Sequence, residues 1–321
     1  MGNSDIHNIN QHKIQNLNYI LEISNLHPQS IASLIELTDK RIATGSCESI
    51  SICSINYLTK EWNQDIFIPK AHYRWVYSLC ELNNNRLVSC STDNTIKIWN
   101  YSQTDLLLLV TLQKHSWDIV KVIPLTENRI ASCSWDTTVK IWESIEPYQE
   151  LVTLKHDEQV CSILQSKKTK ILVTSCSSPS ITFWDLILYK KKHTINKICA
   201  IAPNHMIELP NGNIAVSSSF SQTEEYSVNI IEMNNYTIVK NIQVKDFIIN
   251  GSSLCEIDKS SFVYLYEGKF IQFSSIDYSI LYKSDKEERL NAFSCGLITI
   301  DGGKYLVTGN NSKGITLIQP I

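Results

Sequence analysis

The stretch His72-Tyr-Arg-Trp75-Val-Tyr-Ser-Leu-Cys-Glu-Leu-Asn-Asn-Asn-Arg86-Leu-Val-Ser89-Cys-Ser-Thr-Asp93-Asn-Thr-Ile-Lys-Ile-Trp99 decides the fold. Two short apolar runs flank Asn83-Asn84-Asn85, and a third run, Ile96 to Trp99, alternates apolar and polar residues after the Asp93-Asn94-Thr95 turn. Apolar runs of this length, bounded by turn formers, read as three β-strands. The same pattern recurs along the chain, so the architecture has to be read from a repeat.

Working outward, a histidine stands four residues before a β-branched residue at His27/Ile31, His72/Val76, His115/Ile119 and His156/Val160, at intervals of 41 to 45 residues. Other columns keep step with it. Arg41, Arg86, Arg129 and Lys170 occupy one, Thr44, Ser89, Ser132 and Thr174 a second, and Glu48, Asp93, Asp136 and Ser178 a third. The third strand of each unit ends at Cys53, Trp99, Trp142 or Trp184. A fourth strand follows in the last three units, at Leu106 to Val110, at Glu150 to Leu154 and at Ile187 to Tyr189 or just beyond. Four strands in a unit of about 40–45 residues fit a propeller blade and no helical repeat.

The segments Ser91-Thr-Asp-Asn-Thr-Ile-Lys-Ile-Trp99 and Ser134-Trp-Asp-Thr-Thr-Val-Lys-Ile-Trp142 closely resemble WD40 repeats, and Phe183-Trp184-Asp185 keeps the Trp-Asp ending of that family. The resemblance is strong over 71–185 and degraded over 27–53. It implies an all-β propeller of four-stranded antiparallel blades, and counting the strands along the chain gives seven blades. The later sequence loses the signature residues but keeps the strand rhythm. Met206 to Leu209, Ile214 to Ser217, Val228 to Glu232 and Thr237 to Asn241 form one unit, with Pro210-Asn-Gly212 as a turn. Ser253 to Ile257, Phe262 to Tyr266, Phe270 to Ser274 and Ser279 to Tyr282 form the next. Ala292 to Ile298, Tyr305 to Thr308 and Ile315 to Ile318 give only three strands, so the spare strand Tyr19 to Ile23 is expected to complete that blade and close the ring, which removes exposed sheet edges. Six blades would require one of the later units to be a misreading, and eight would require more strands than the chain supplies. The expected organisation is a flexible polar tail over 1–15 and a single propeller over 16–321, with blades two to four at about 71–195 and the divergent blades five to seven at about 196–321.

Composition narrows the function classes. With 43% hydrophobic and 19% charged residues, the 321-residue chain has the material for a globular core. A net charge of −3 gives no bulk electrostatic reason to expect nucleic acid, and no apolar stretch is long enough for a membrane-spanning helix. Ten cysteines without a CxxC pair or a secretory leader are expected to be reduced thiols in the cytoplasm, the nucleus not being excluded. Gly2 is followed by Ile6 where a myristoylation signal needs Ser or Thr. Neither an F-box-like nor another helical extension is expected to flank the ring. Phosphate loops, nucleophile elbows and HExxH motifs are absent, and so is the Trp-Asp-x-Arg ending of cullin-ring substrate receptors, because Leu186-Ile187 follows Trp184-Asp185.

His115, Ser132 and Asp136 are the residue types of a catalytic triad, but the set recurs from unit to unit, whereas a catalytic set is built once. In the WD40 family such a set is an internal hydrogen-bond chain from Trp through Ser and His to Asp. The resemblance carries it to Trp99, Ser89, His72 and Asp93, and to Trp142, Ser132, His115 and Asp136. Buried indole, hydroxyl and imidazole groups each need a partner, and a chain satisfies all of them. Cys90, Cys133, Cys176 and Cys47 read as small core fillers and not as a converging zinc site, so no metal or cofactor is expected. Arg41, Arg86, Arg129 and Lys170 read as solvated turn residues or as contacts for an acidic partner. Lys190-Lys-Lys192 reads as protection of an exposed edge.

What does not repeat is the aromatic and charged content of the loops on one face: Tyr73, Arg74, Trp75, Trp117, Asp118, Trp135, Asp157 and Glu158. Trp, Tyr and Arg are enriched at binding hot spots, although tryptophans also pack between loops as structure. The expectation is a non-catalytic scaffold that binds a protein or peptide, a monomeric propeller working within a complex. A second reading is an architectural subunit of a ciliary, vesicle-coat or RNA-processing assembly. A third is a propeller enzyme with its site at the channel, for which Glu224, Glu225 and Asp246 neither repeat nor pair.

Overall fold

The computed structural model describes residues 18–56, 58–198, 203–218, 226–244, 252–266, 269–283, 290–300, 303–310 and 313–319. The polar tail expected over 1–15 lies outside them. Blade one comprises β2 (Ser33–Glu36), β3 (Ile42–Gly45), β4 (Ile50–Asn56) and β5 (Glu61–Ile68), after β1 (Asn18–Ile23). Blade two is β6 (Val76–Leu82), β7 (Arg86–Ser91), β8 (Ile96–Tyr101) and β9 (Leu106–Leu112); blade three is β10 (Ile119–Leu125), β11 (Arg129–Ser134), β12 (Thr138–Glu143) and β13 (Glu150–Lys155). Blade four is β14 (Val160–Gln165), β15 (Ile171–Cys176), β16 (Ser180–Asp185) and β17 (Lys190–Asn196). Blade five is β18 (Pro203–Glu208), β19 (Ile214–Ser218), β20 (Tyr226–Glu232) and β21 (Thr237–Val244); blade six is β22 (Ser252–Glu256), β23 (Ser261–Tyr266), β24 (Lys269–Ser274) and β25 (Ile280–Lys283). The last sheet holds β26 (Leu290–Ile300), β27 (Gly303–Asn310) and β28 (Ile315–Gln319), with β1 outermost beside β28.

All seven sheets are four-stranded and antiparallel. The inner strands β2, β6, β10, β14, β18, β22 and β26 touch in cyclic order, β26 returning to β2, so the sheets form a closed ring. Asn18 pairs with Gln319 and Ile23 with Ile315, which closes the ring with the N-terminal strand.

The core lies between blades, because each sheet buries both faces against its neighbours. The second strands β7 and β15 are buried at every residue. Ile50, Ile52 and Ile66 of blade one pack on Val76, Leu87 and Trp99 of blade two. Val88, Cys90 and Ile98 of blade two pack on Ile119, Ile130 and Trp142 of blade three, and Ile141 and Leu154 on Ile163, Leu172 and Trp184 of blade four. At the closure, Ile23, Val307 and Leu317 pack on Ile31, Leu34 and Ile42. Close approach explains one glycine. A Cβ on Gly45 would lie 2.5 Å from Ser33 Oγ and 2.7 Å from Val76 Cγ1 of the next blade. Gly45→Ala is expected to lower stability by about 1–3 kcal/mol, from overpacking of this seam; an unchanged urea midpoint would show that blades one and two can part without cost.

The fourth strand of blade four is Lys190–Asn196, just beyond Ile187 to Tyr189. Asp185 Oδ1 accepts the amides of Ile187 (2.8 Å) and Leu188 (2.9 Å), which turns the chain and leaves both apolar side chains exposed. The lysine run then lies exposed on that outer strand. Blade one also has a fourth strand, Glu61–Ile68, which its polar content hides.

The reading of the arginine column is corrected. Arg41 and Arg86 are not solvated: they are 4% and 8% exposed. Arg41 donates through Nη2 to Ser102 O (2.6 Å) and through Nη1 to Gln103 O (3.1 Å) of blade two. Arg86 reaches Ser144 O of blade three, and Arg129 donates to Tyr189 Oη of blade four at 2.6 Å. Each arginine thus ties the start of one blade's second strand to the turn before the fourth strand of the next blade. Lys170 is exposed and pairs with Glu127 at 3.0 Å. Blade five does the same work with Asn211 and Asn213, which both donate to Tyr278 Oη at 2.8 Å.

Candidate functional site

The site is built on the buried chain of polar groups in blades two and three. Trp99 Nε1 donates to Ser89 Oγ (2.8 Å), which lies 2.7 Å from His72 Nε2, and His72 Nδ1 lies 3.0 Å from Asp93 Oδ2. In blade three Trp142 Nε1 donates to Ser132 Oγ (2.9 Å), His115 Nε2 lies 2.8 Å from that oxygen, and His115 Nδ1 lies 2.7 Å from Asp136 Oδ2. Ser89 and Ser132 are fully buried, so neither hydroxyl can meet a substrate. Burial opposes ionisation of Asp93, but the bonds from His72, from Thr95 and from the Tyr73 amide override it and hold the carboxyl well below the usual carboxylate range. Asp136 is held low in the same way, against its burial, by His115, Thr138 and the Ser116 amide. Burial pushes the His72 imidazole below its ordinary value, with Asp93 opposing.

Blades one and four show what happens when members are missing. His27 is held between Ser49 Oγ (2.7 Å) and Thr44 Oγ1 (2.8 Å), and burial lowers its pKa to about 4. In blade four Trp184 Nε1 still donates to Thr174 Oγ1 at 3.0 Å, but His156 Nδ1 meets Cys176 Sγ at 3.3 Å and its Nε2 is buried without a partner.

The aspartates also set the loops. Asp93 Oδ2 accepts the Tyr73 amide at 2.9 Å, and Asp136 Oδ2 accepts the Ser116 amide at 3.0 Å. Each carboxylate pins the residue after its histidine and so fixes where the next two side chains leave the ring. Between these loops lies an open groove of about 440 Å³ lined by Tyr73, Arg74, Thr92, Asp93, Asn94, Ser116, Trp117 and Asp118. Tyr73 is 84% exposed and Trp117 53%. Burial raises the Asp118 carboxyl, and the Arg74 charge opposes that rise.

The structure therefore brings together Tyr73, Arg74, Trp117 and Asp118 of the eight loop residues singled out from sequence. Trp75 is half-buried, and its backbone bridges to Cys47 of blade one. Trp135 is half-buried with its amide on Asp118 O (3.0 Å), while Asp157 and Glu158 are exposed outside the groove. Sequence reasoning missed Asn94, whose positive φ of 67° places it at the tip of the Asp93-Asn94-Thr95 turn; Asn at such a tip was the available signal. Cys90 and Cys133 are fully buried, and burial pushes both thiols well above their ordinary range. Among the described residues no group of His, Cys, Asp and Glu is arranged to hold a metal ion.

Residues 63–100 and 107–143 match the family model of the WD domain, G-beta repeat. The chain is a WD40-repeat propeller. Each match runs from the outer strand of one blade through the third strand of the next, the frame in which WD40 repeats are staggered across blades. No curated protein matches the chain. WD40 propellers generally mediate protein–protein interaction and are generally non-catalytic. Among the described residues no helix is long and apolar enough to cross a membrane.

Proposed function

We propose that this WD40 propeller is a non-catalytic scaffold that docks a segment of a protein partner in the groove between blades two and three. The observation that carries the reading is the pair of exposed aromatic rings, Tyr73 and Trp117, which line the groove together with Arg74 and Asp118 on loops pinned by buried carboxylates. Rigid aromatic anchors lose little conformational entropy on binding, and the adjacent charges give orientation. The free thiols of Cys53, Cys80, Cys90 and Cys133 support a reducing compartment, which we take to be the cytoplasm.

The test is selection of a displayed random-peptide library on the intact protein, followed by measurement of the enriched peptides against Tyr73→Ala and Trp117→Ala. Both side chains are exposed, so the melting temperature should stay unchanged while affinity falls by about tenfold or more at each position. Peptides that bind both variants as tightly as the parent would place the docking surface elsewhere.

A further inference from the structure

One position on the inner strands departs from its own pattern. Ser33 stands opposite Gly45, Ser78 opposite Cys90, Lys121 opposite Cys133, Ser162 opposite Ser175 and His205 opposite Ser217. The five are one register column on five successive blades. Four of these side chains, those of Ser33, Ser78, Lys121 and His205, meet the following blade. Ser33 Oγ donates to Val76 O (3.0 Å) and Ser78 Oγ to Val122 O (3.3 Å), so in blades one and two a small hydroxyl meets its need on the neighbour's backbone. Blades three and five carry a cation and an imidazole in the same place.

Lys121 Nζ donates to Ser162 Oγ of blade four at 3.2 Å. Among the described residues no carboxylate forms an ion pair with it. The Leu254 amide of blade six donates to His205 Nδ1 at 3.3 Å, so the ring proton sits on Nε2 and that nitrogen is a donor. Burial first, and then the nearby Lys121 charge, holds His205 at a pKa of about 3, so it stays neutral and keeps this tautomer. The acidic group that acts on Lys121 is the Cys133 thiol, which burial pushes well up, so it is uncharged at neutral pH. Both Lys121 and His205 remain partly accessible on the inner wall of the ring.

A cation withdrawn from water without a counter-charge is costly, and the cost is recovered when an anion joins it. We propose that Lys121, Ser162 and His205 form a site for an oxyanion, phosphate or carboxylate, on the channel wall between blades three and five. The ammonium supplies the charge and up to two further N–H donors, the imidazole supplies one more from Nε2, and among the described residues no carboxylate is paired with the ammonium. The bland alternative is that Lys121 is only a rivet between blades. The proposal is independent of the groove, which lies on the loops of blades two and three.

The test measures thermal unfolding at pH 7.5 in sodium phosphate, sodium acetate and sodium chloride at matched ionic strength. Such anions also stabilise proteins generally by exclusion from the surface, so the decisive quantity is the difference between the parent and Lys121→Met. The parent should gain about 3 °C or more in phosphate or acetate over chloride, beyond any gain in Lys121→Met, and Lys121→Arg should keep most of that gain. Which salt acts distinguishes the two sources of the oxyanion. If Lys121→Met does not fold, the readout moves to the parent protein, where nuclear magnetic resonance of the Lys121 ε-methylene should show its apparent pKa rising on addition of phosphate or acetate. Equal gains in parent and Lys121→Met, or a Lys121 titration that neither salt moves, would overturn the site.

Discussion

Trp142→Ala should cost about 3–5 kcal/mol of unfolding free energy, a large share of what holds a domain together. The side chain is 1% exposed and packs in the seam shared with Val88, Ile98 and Ile130. Truncation opens a cavity between blades two and three. It also strips the indole donor from Ser132 Oγ, which His115 Nε2 meets at 2.8 Å. Trp142→Phe separates the two effects. It keeps most of the volume and loses the donor, so about 1–2 kcal/mol should remain of the loss. Urea midpoints of the two variants measure this, and a Phe variant as unstable as the Ala variant would show that the hydrogen-bond chain, not the packing, dominates.

Stability should also fall steeply as pH drops from about 6.5 to 4. Burial holds the imidazoles of His27 and His156 at about 4, and that of His205 at about 3. A free imidazole titrates near 6.5, so in this window the unfolded chain takes up protons that the folded chain refuses. A group with a depressed imidazole pKa loses stability as pH falls below its unfolded value, until the folded value is reached. Each of the three contributes a loss of up to about 3 kcal/mol by pH 4. The sign is the same for the hydrogen-bonded carboxylates, which act at lower pH: the stability that Asp93 and Asp136 give is present above their unfolded value near 4 and is lost as pH falls below it through their lower folded values. The histidines therefore act first. Unfolding free energies from urea titrations at half-unit pH steps should slope as for two or more extra protons on the unfolded chain, and a flat profile between 6.5 and 5 would contradict the burial of these rings.

The blade count and the polar chain were legible because both rest on residue types that recur at a fixed interval. His72, Ser89, Asp93 and Trp99 announce themselves in this way, and so does the strand rhythm of the divergent blades. The joints between blades were not legible, because one partner is often a backbone carbonyl with no sequence signature. Arg86 on Ser144 O is such a case. Glu208 is another: it is 7% exposed and accepts from Ser166 Oγ (2.8 Å) and the Lys167 amide (2.6 Å) of blade four. Nor did turn chemistry disclose Tyr148, Tyr189, Tyr236 and Tyr278, which hold positive φ angles between 53° and 60° in the turns before the fourth strands of blades three to six. A bulky ring is uncommon in that conformation. Each packs against the seam with the preceding blade, and tertiary contact there overrides local preference. At the groove, Tyr73, Arg74 and Trp117 stood out because they break the repeat, whereas Trp75 and Trp135 broke it equally and lie half-buried outside the groove lining. Composition marks an unusual loop but does not give the direction in which its side chains leave.

The pairing of Ile23 with Ile315 joins residues nearly 300 positions apart in one sheet. During synthesis β1 is made before the other described strands of the ring, and its hydrogen-bonding partner after them. Until β28 emerges from the ribosome, β1 lacks its strand partner and the apolar residues Ile31, Leu34 and Ile42 lack the blade that covers them. Closing a loop on the order of 300 residues costs about 5 kcal/mol of chain entropy, recovered only when the final sheet zips shut. The ring therefore closes only once its last blade has formed, and the nascent first blade keeps an uncovered apolar face until then.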